Sequence, residues 1–194
     1  FQGRHKKTIY IFMYQILIMR LKAFYSVMKK TRDIRRRIVK KHFSNKNCQK
    51  EIDLLKKHNS SLKALPKSKG KYIIRANKKD MALDLSYEIE ELKKDIFFLE
   101  KNYASFLRHL ERKNKNMITQ SRKALKKLSG ISFNSFITDR DGTINNYCAR
   151  YLSSVQSAYN SIFISKFSKS LTKHSIIITS APLEGILEMS VDPP

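Results

Sequence analysis

The sequence predicts an α-helical region followed by a truncated α/β unit: a basic helical hairpin or coiled coil over residues 1–130, then one βαβ unit over 131–194. Three observations carry this expectation. Of 40 Lys and Arg, 35 lie before residue 136 against 11 acids, whereas residues 136–194 hold five of each sign, so all of the +24 charge sits in the first part. A heptad stripe runs from Leu85 to Leu110. From Ile131 the apolar period shortens to that of a strand.

Phe1, Gln2 and Gly3 look like the remnant of a protease-cleavage tag, and Met19 offers a natural start. Residues 9–19 are apolar apart from Gln15, too short to span a bilayer and closed by Arg20 and Lys22. They read as an amphipathic or core helix.

Everything before residue 130 reads as helix. Ile34, Ile38, Cys48, Ile52, Leu55 and Leu62 fall on an alternating four-three spacing, with Lys41, Asn45 and Asn59 at intervening seam positions. Those polar residues make a weak seam. Pro66 and Gly70 stop this helix and turn the chain, because Pro cannot continue a helix and Gly permits reversal.

The stronger stripe follows: Leu85, Ile89, Leu92, Ile96, Leu99, Tyr103, Phe106 and Leu110 alternate four and three without a miss. Glu90 can pair along the helix with Lys93 and Lys94. Such a stripe must be buried. It packs either on the preceding helix as a hairpin or on a second copy, and self-association through the 85–110 seam would bury the same residues. Helix continues to about Leu128, and Ser129 and Gly130 end it.

Ile131, Phe133, Phe136 and Ile137 form the first buried strand. Residues 151–170 read as a helix with Leu152, Val155, Tyr159, Ile162, Phe163 and Phe167 on one broad face, and residues 175–179 form a second β-branched strand. Strand, helix, strand implies two parallel strands joined by a crossover.

A basic region can bind nucleic acid, an anionic membrane or an acidic partner, and charge alone does not choose among them. The sequence contains no zinc-finger spacing, RNP-like strand or clear helix-turn-helix. Cys48 and Cys148 lie 100 positions apart without His at ligand spacing, which reads as two reduced thiols in a cytoplasmic protein.

The chemistry concentrates at the end of the first strand. Asp139 and Asp141, spaced i, i+2, follow an apolar run and lead into Gly142 and Thr143. An exposed Asx-type turn would explain such acids structurally. The preceding strand and the β-branched run that ends at Thr179, 40 residues later, set both at strand ends, and in a parallel sheet ligands gather outside the carboxyl ends of strands.

Asp-x-Asp-Gly-Thr resembles the first signature of the haloacid dehalogenase (HAD) superfamily of phosphatases and phosphomutases, and the chain looks most like its sugar-phosphate phosphatases, including trehalose-phosphate phosphatase. The same wording occurs in heptose-bisphosphate and histidinol-phosphate phosphatases. The resemblance covers about residues 131–185 and implies a Rossmann-like domain. It implies that Asp139 attacks a phosphate monoester, a sugar phosphate, to form an aspartyl phosphate, and that Asp141 acts as general acid and base. It further implies a Mg²⁺ ion held by an Asp139 oxygen and the Asp141 carbonyl. Residues 178–182 resemble the second signature, which makes Thr179, or alternately Ser180, the phosphate donor beside Gly142; Ser180 and Ala181 stand where that segment commonly has Gly and Arg.

The third signature, a Lys or Arg after the second strand, has no counterpart after Lys173, and the acidic pair of the fourth is absent. The expectation is the front of a longer phosphatase with little turnover by itself, its two strands leaving an uncovered apolar face. The competing expectation is a basic helical binding protein carrying an inert remnant, with salt-sensitive binding by residues 19–130. A third is that the helices serve only to dimerise the enzyme.

Overall fold

The computed structural model describes residues 19–140, 142–144 and 155–179. In chain order the elements are β1 (Met19–Arg20), α1 (Leu21–Phe43), α2 (Gln49–Lys63), β2 (Lys67–Ser68), β3 (Lys71–Ala76), β4 (Lys79–Leu83), α3 (Ser86–Glu100), α4 (Tyr103–Lys113), α5 (Met117–Leu128), β5 (Ser135–Asp139), α6 (Ala158–Leu171) and β6 (His174–Ile178). Of the apolar run 9–19, only Met19 is described, and it begins a strand.

Helices α1, α2, α3 and α6 pack in a ring, α1 on α2, α2 on α3, α3 on α6 and α6 back on α1. Their shared core contains Phe24, Met28, Ile34 and Ile38 of α1, Leu55 and Leu62 of α2, and Leu85, Ile89 and Leu92 around α3. Val155 and Ala158 complete it from the start of α6. The helix expected over 151–170 as the crossover of the βαβ unit begins only at Ala158 and is also the fourth helix of the N-terminal bundle. The upper part of the 85–110 stripe is buried within the chain, as the hairpin reading requires.

Two expected helices are interrupted. Asn45 takes φ +53 and ends α1, whose last carbonyls accept from the Ser44 and Lys46 N–H groups. The Asn47 side chain then accepts from Gln49 N–H at 2.6 Å to start α2. Similarly, the Asn102 side chain accepts from Ser105 N–H at 2.9 Å and caps α4, so the stripe is split at residues 101–102. Tyr103 is left largely exposed. Phe106 remains fully buried among the rings of Phe98, Tyr159 and Phe163, tying α4 to α6.

The expectation of helix throughout also fails at residues 67–83. Pro66 and Gly70 do turn the chain, but into a hairpin: β3 pairs antiparallel with β2 and β4, and parallel with β1. Lys69 and Gly70, at φ +49 and +76, form the two-residue β2–β3 turn, a backbone that matches strand twist. Ile74 in the middle strand is fully buried against the bundle core.

At the far end, Gly130 at φ +82 follows α5, as expected. β5 and β6 pair parallel, with Phe136 opposite Ser175 and Asp139 opposite Ile178. Phe167 of α6 packs edge-on against Phe136, 5.1 Å between ring centroids. Hence α6 lies between the bundle and the small sheet. The other sheet face exposes Ile137, Ile176 and Ile178 by 48–60%, so the strand expected to be buried is covered on one face only, and Ile131 and Phe133 lie before it. Among the described residues, no helix is long and apolar enough to cross a membrane.

Candidate active site

Parallel pairing sets the ends of β5 and β6 side by side. Asp139 is the last residue of β5, and Thr179 follows the last residue of β6. Arg140 N–H donates to the Ile178 carbonyl at 3.1 Å, carrying the pairing one residue past Asp139 and fixing its register against Ile178 and Thr179. In a parallel sheet, this carboxyl edge is where ligands gather, since the strand ends open a crevice there. The Asp139 side is exposed and Thr179 is half-buried. Of the predicted site residues, the structure therefore brings Asp139 and Thr179 to one sheet edge, while Gly142 lies in the turn that follows Asp139. Asp141 and Ser180 lie outside the described residues.

The acidic turn is locally specified. Ile144 N–H donates to the Arg140 carbonyl at 3.0 Å, closing residues 140–144 into one turn. Gly142 within it adopts φ +91, which disfavours any residue carrying a Cβ, although a Cβ there would meet no atom within 4 Å. Glycine is needed for the backbone path rather than for space. Arg140 and Ile144 are buried, whereas Gly142 and Thr143 are exposed.

The outer side of the turn meets the bundle. Gly142, Thr143 and Ile144 face Tyr87, Glu91 and Lys94 of α3 across a polar cleft of about 280 Å³, with the first residues of α6 at one end. Asn160 donates its side-chain N–H to the Ile144 carbonyl. Tyr159 donates its hydroxyl to Glu91 Oε2 at 3.1 Å, and Lys94 pairs with the same carboxylate at 2.6 Å. Burial, reinforced by the Glu91 charge, pushes the Tyr159 hydroxyl well above its ordinary range. It therefore remains a hydrogen-bond donor.

Behind the cleft lies a buried ion pair. Arg35 Nε donates to Asp95 Oδ2 at 2.5 Å, with both side chains almost fully buried. The other Asp95 oxygen accepts from the Tyr159 backbone N–H at 3.1 Å. Burial pushes the Asp95 carboxyl above its usual value, against the opposing pull of Arg35 and that N–H. Neither Arg35 nor Asp95 stood out in the sequence. The available signal was the run Glu88, Glu91 and Asp95 at three-four spacing beside the apolar stripe, which places three acids on a face that is buried.

Asp139 is a hard oxygen donor at an open strand end. Among the described residues, no group of three or more His, Cys, Asp or Glu could hold a metal ion. One carboxylate suits a cation that fills the rest of its shell with phosphate and water, as Mg²⁺ does. Cys48 is free and half-buried with no such neighbours, and Cys148 lies outside the described residues.

Comparison with known proteins connects the two regions to one family. Residues 20–124 match the model of the trehalose-6-phosphate phosphatase N-terminal helical bundle domain, and residues 136–194 match that of the trehalose-6-phosphate phosphatase C-terminal region. An alpha,alpha-trehalose-phosphate synthase [UDP-forming] 1 of Caenorhabditis elegans is 29% identical over 206 residues, covering 92% of this chain and 15% of that protein. Its counterpart in Aphelenchoides avenae is 28% identical, covering 89% of this chain and 17% of its own length. A trehalose-phosphatase of Brugia malayi is 38% identical over 60 residues, 30% of this chain and 12% of that protein. The chain thus spans less than a fifth of the length of these relatives.

Proposed function

The chain belongs to the trehalose-6-phosphate phosphatase family, and on that premise we propose that its acidic strand end is the phosphate-attacking part of a Mg²⁺-dependent sugar-phosphate phosphatase of the HAD type. The observation that carries this reading is the β5–β6 register, which sets Asp139 beside the end of the strand that leads into Thr179. Neither strand alone would make a phosphate site.

In this mechanism the Asp139 carboxylate attacks phosphorus in line as the bond to the sugar oxygen breaks, leaving an aspartyl phosphate. Asp141 protonates the departing alkoxide, then takes a proton from the water that attacks the acyl phosphate and releases inorganic phosphate. The Thr179 hydroxyl, with Ser180 as alternate, and the backbone at Gly142 hold phosphate oxygens. Asp139 and the Asp141 carbonyl would hold Mg²⁺, which when bound offsets repulsion between the carboxylate and the anionic substrate.

Beryllofluoride, which mimics a phosphoryl group on aspartate, tests the nucleophile without requiring turnover. Fluorine NMR of the 194-residue chain should show a Mg²⁺-dependent adduct that disappears in Asp139→Asn. An adduct that survives that substitution places the nucleophile elsewhere. Hydrolysis of p-nitrophenyl phosphate or trehalose 6-phosphate by the same chain should be slight. No Lys or Arg follows Lys173 to balance the charge on Asp139 and phosphate, and missing stabilisation of this kind costs roughly 10²–10³ in rate. Brisk turnover that depends on Asp139 would mean another cation takes that place.

A further inference from the structure

We propose that Asp95 is a positioning residue for the acidic turn, through which the N-terminal bundle sets the shape of a site that it does not itself line with Asp139. The inference rests on the reading of that turn as the phosphate site, but its geometry stands independently. Four consecutive links run from α1 to the turn. Arg35 holds Asp95 at 2.5 Å inside the bundle. Asp95 accepts from Tyr159 N–H at 3.1 Å. The next residue, Asn160, donates its side chain to the Ile144 carbonyl. Ile144 N–H closes the turn onto the Arg140 carbonyl at 3.0 Å.

The second link explains why the connection is directional. Tyr159 lies in the first turn of α6, where backbone N–H groups have no partner within the helix. The residue before α6, Ser157, makes no side-chain cap. The carboxylate supplied by α3 takes that role, and its negative charge also suits the helix N-terminus. Asp95 therefore fixes the position and rotation of the first turn of α6, and this determines where Asn160 meets the acidic turn. Tyr159 adds a second tie from the same turn of α6 to Glu91 on α3. A helix held at this one end by two carboxylates cannot shift without moving the Ile144 carbonyl.

The test is amide hydrogen exchange by NMR on the full 194-residue chain, read at Tyr159, Ile144 and Gly142. Asp95→Ala removes the first and second links and Asn160→Ala the third alone, the latter leaving the bundle ion pair intact. Exchange at Ile144 should rise about fivefold or more in both, the size expected for losing one hydrogen bond. Asp95→Asn, which keeps an oxygen for Tyr159 N–H, should restore most of the protection at Tyr159. Leu55→Ala, in the core but outside the links, serves as a control matched for loss of melting temperature. If Ile144 exchanges no faster in Asn160→Ala than in the parent, or if Leu55→Ala accelerates it equally, the proposal fails. Should Asp95→Ala not fold, Asn160→Ala with the Asp95→Asn rescue still decides. Loss of the beryllofluoride signal in the parent would overturn the phosphatase reading, whereas unchanged exchange in the variants overturns only the positioning role.

Discussion

Replacing Arg35 with Met should destabilise the bundle by about 3–5 kcal/mol, because it leaves a buried carboxylate without its countercharge. Asp95 is fully buried, and its other oxygen accepts from the Tyr159 N–H at 3.1 Å. Measured against the roughly 5–15 kcal/mol typical of a whole domain, such a loss is about a fifth or more of the total. With a urea dependence of about 2–3 kcal/mol per molar for a chain of this size, the unfolding midpoint followed by circular dichroism should fall by about 1–2.5 M. The double variant Arg35→Met with Asp95→Leu removes both charges and should recover most of the loss, falling short by about 1 kcal/mol because α6 loses its cap. The pH dependence follows from sign. Burial already holds the Asp95 carboxyl above 3.8, and removing Arg35 raises it further. The folded variant then binds a proton that the unfolded chain releases, so its stability rises as pH falls from 7 toward 4. A single variant within 1 kcal/mol of the parent, or a double variant less stable than the single, would refute the assignment of an ionised buried pair.

Three further outcomes follow from the same structure. Hydrogen bonds from Lys113 and Lys93 pull the Glu90 carboxyl down from 4.5 to about 2; its stabilisation is complete above pH 4.5 and lost as pH falls toward 2. Glu90 is a third exposed, so Glu90→Gln should lower stability by under about 1 kcal/mol at pH 6 and low salt, with no difference near pH 2. Phe106→Ala should cost about 3–5 kcal/mol in urea unfolding, since the ring is fully buried between α4 and α6; a loss below 1 kcal/mol would mean α4 is not docked there. Gly142→Ala places a side chain at φ +91 without a clash. It should strain the turn by about 1–3 kcal/mol, weakening the beryllofluoride adduct while the melting temperature of the bundle stays put.

Legibility in the sequence tracked how much of each signal is local. The acidic turn and its two flanking strands could be read because β-branched runs, paired acids and a glycine that needs positive φ act within a few residues. The breaks at 44–48 and 101–102 were invisible to periodicity because the turns preserve the heptad phase: Cys48 and Tyr103 still fall on the four-three count. Only the turn chemistry of Asn45, Asn47 and Asn102 marks them. The β3–β4 hairpin had a signal, Tyr72, Ile73 and Ile74 between Gly70 and Asn77, but a short apolar run does not distinguish a strand from a helix segment by spacing. The place of Thr179 just past β6 could be read from the β-branched run before it, whereas Arg35 and Asp95 were hidden because pattern reading assigns charges to the surface.

The charge step near residue 135 and the packing boundary are different things. Net charge falls where the sequence passes from α5 to β5, yet α6 returns to the bundle and buries Ala158, Ser161, Ile162 and Ser165. Small residues at three of those four positions permit close helix approach, and Phe167, lower on the same helix, turns to Phe136 of the sheet. One helix is therefore committed to two neighbours along its length: its start to the bundle, its end to β5. Isolating residues 131–194 would expose the first half of that helix and remove Asp95 from its N-terminus. The N-terminal bundle is better understood as part of what holds the strand ends in place than as a separate appendage.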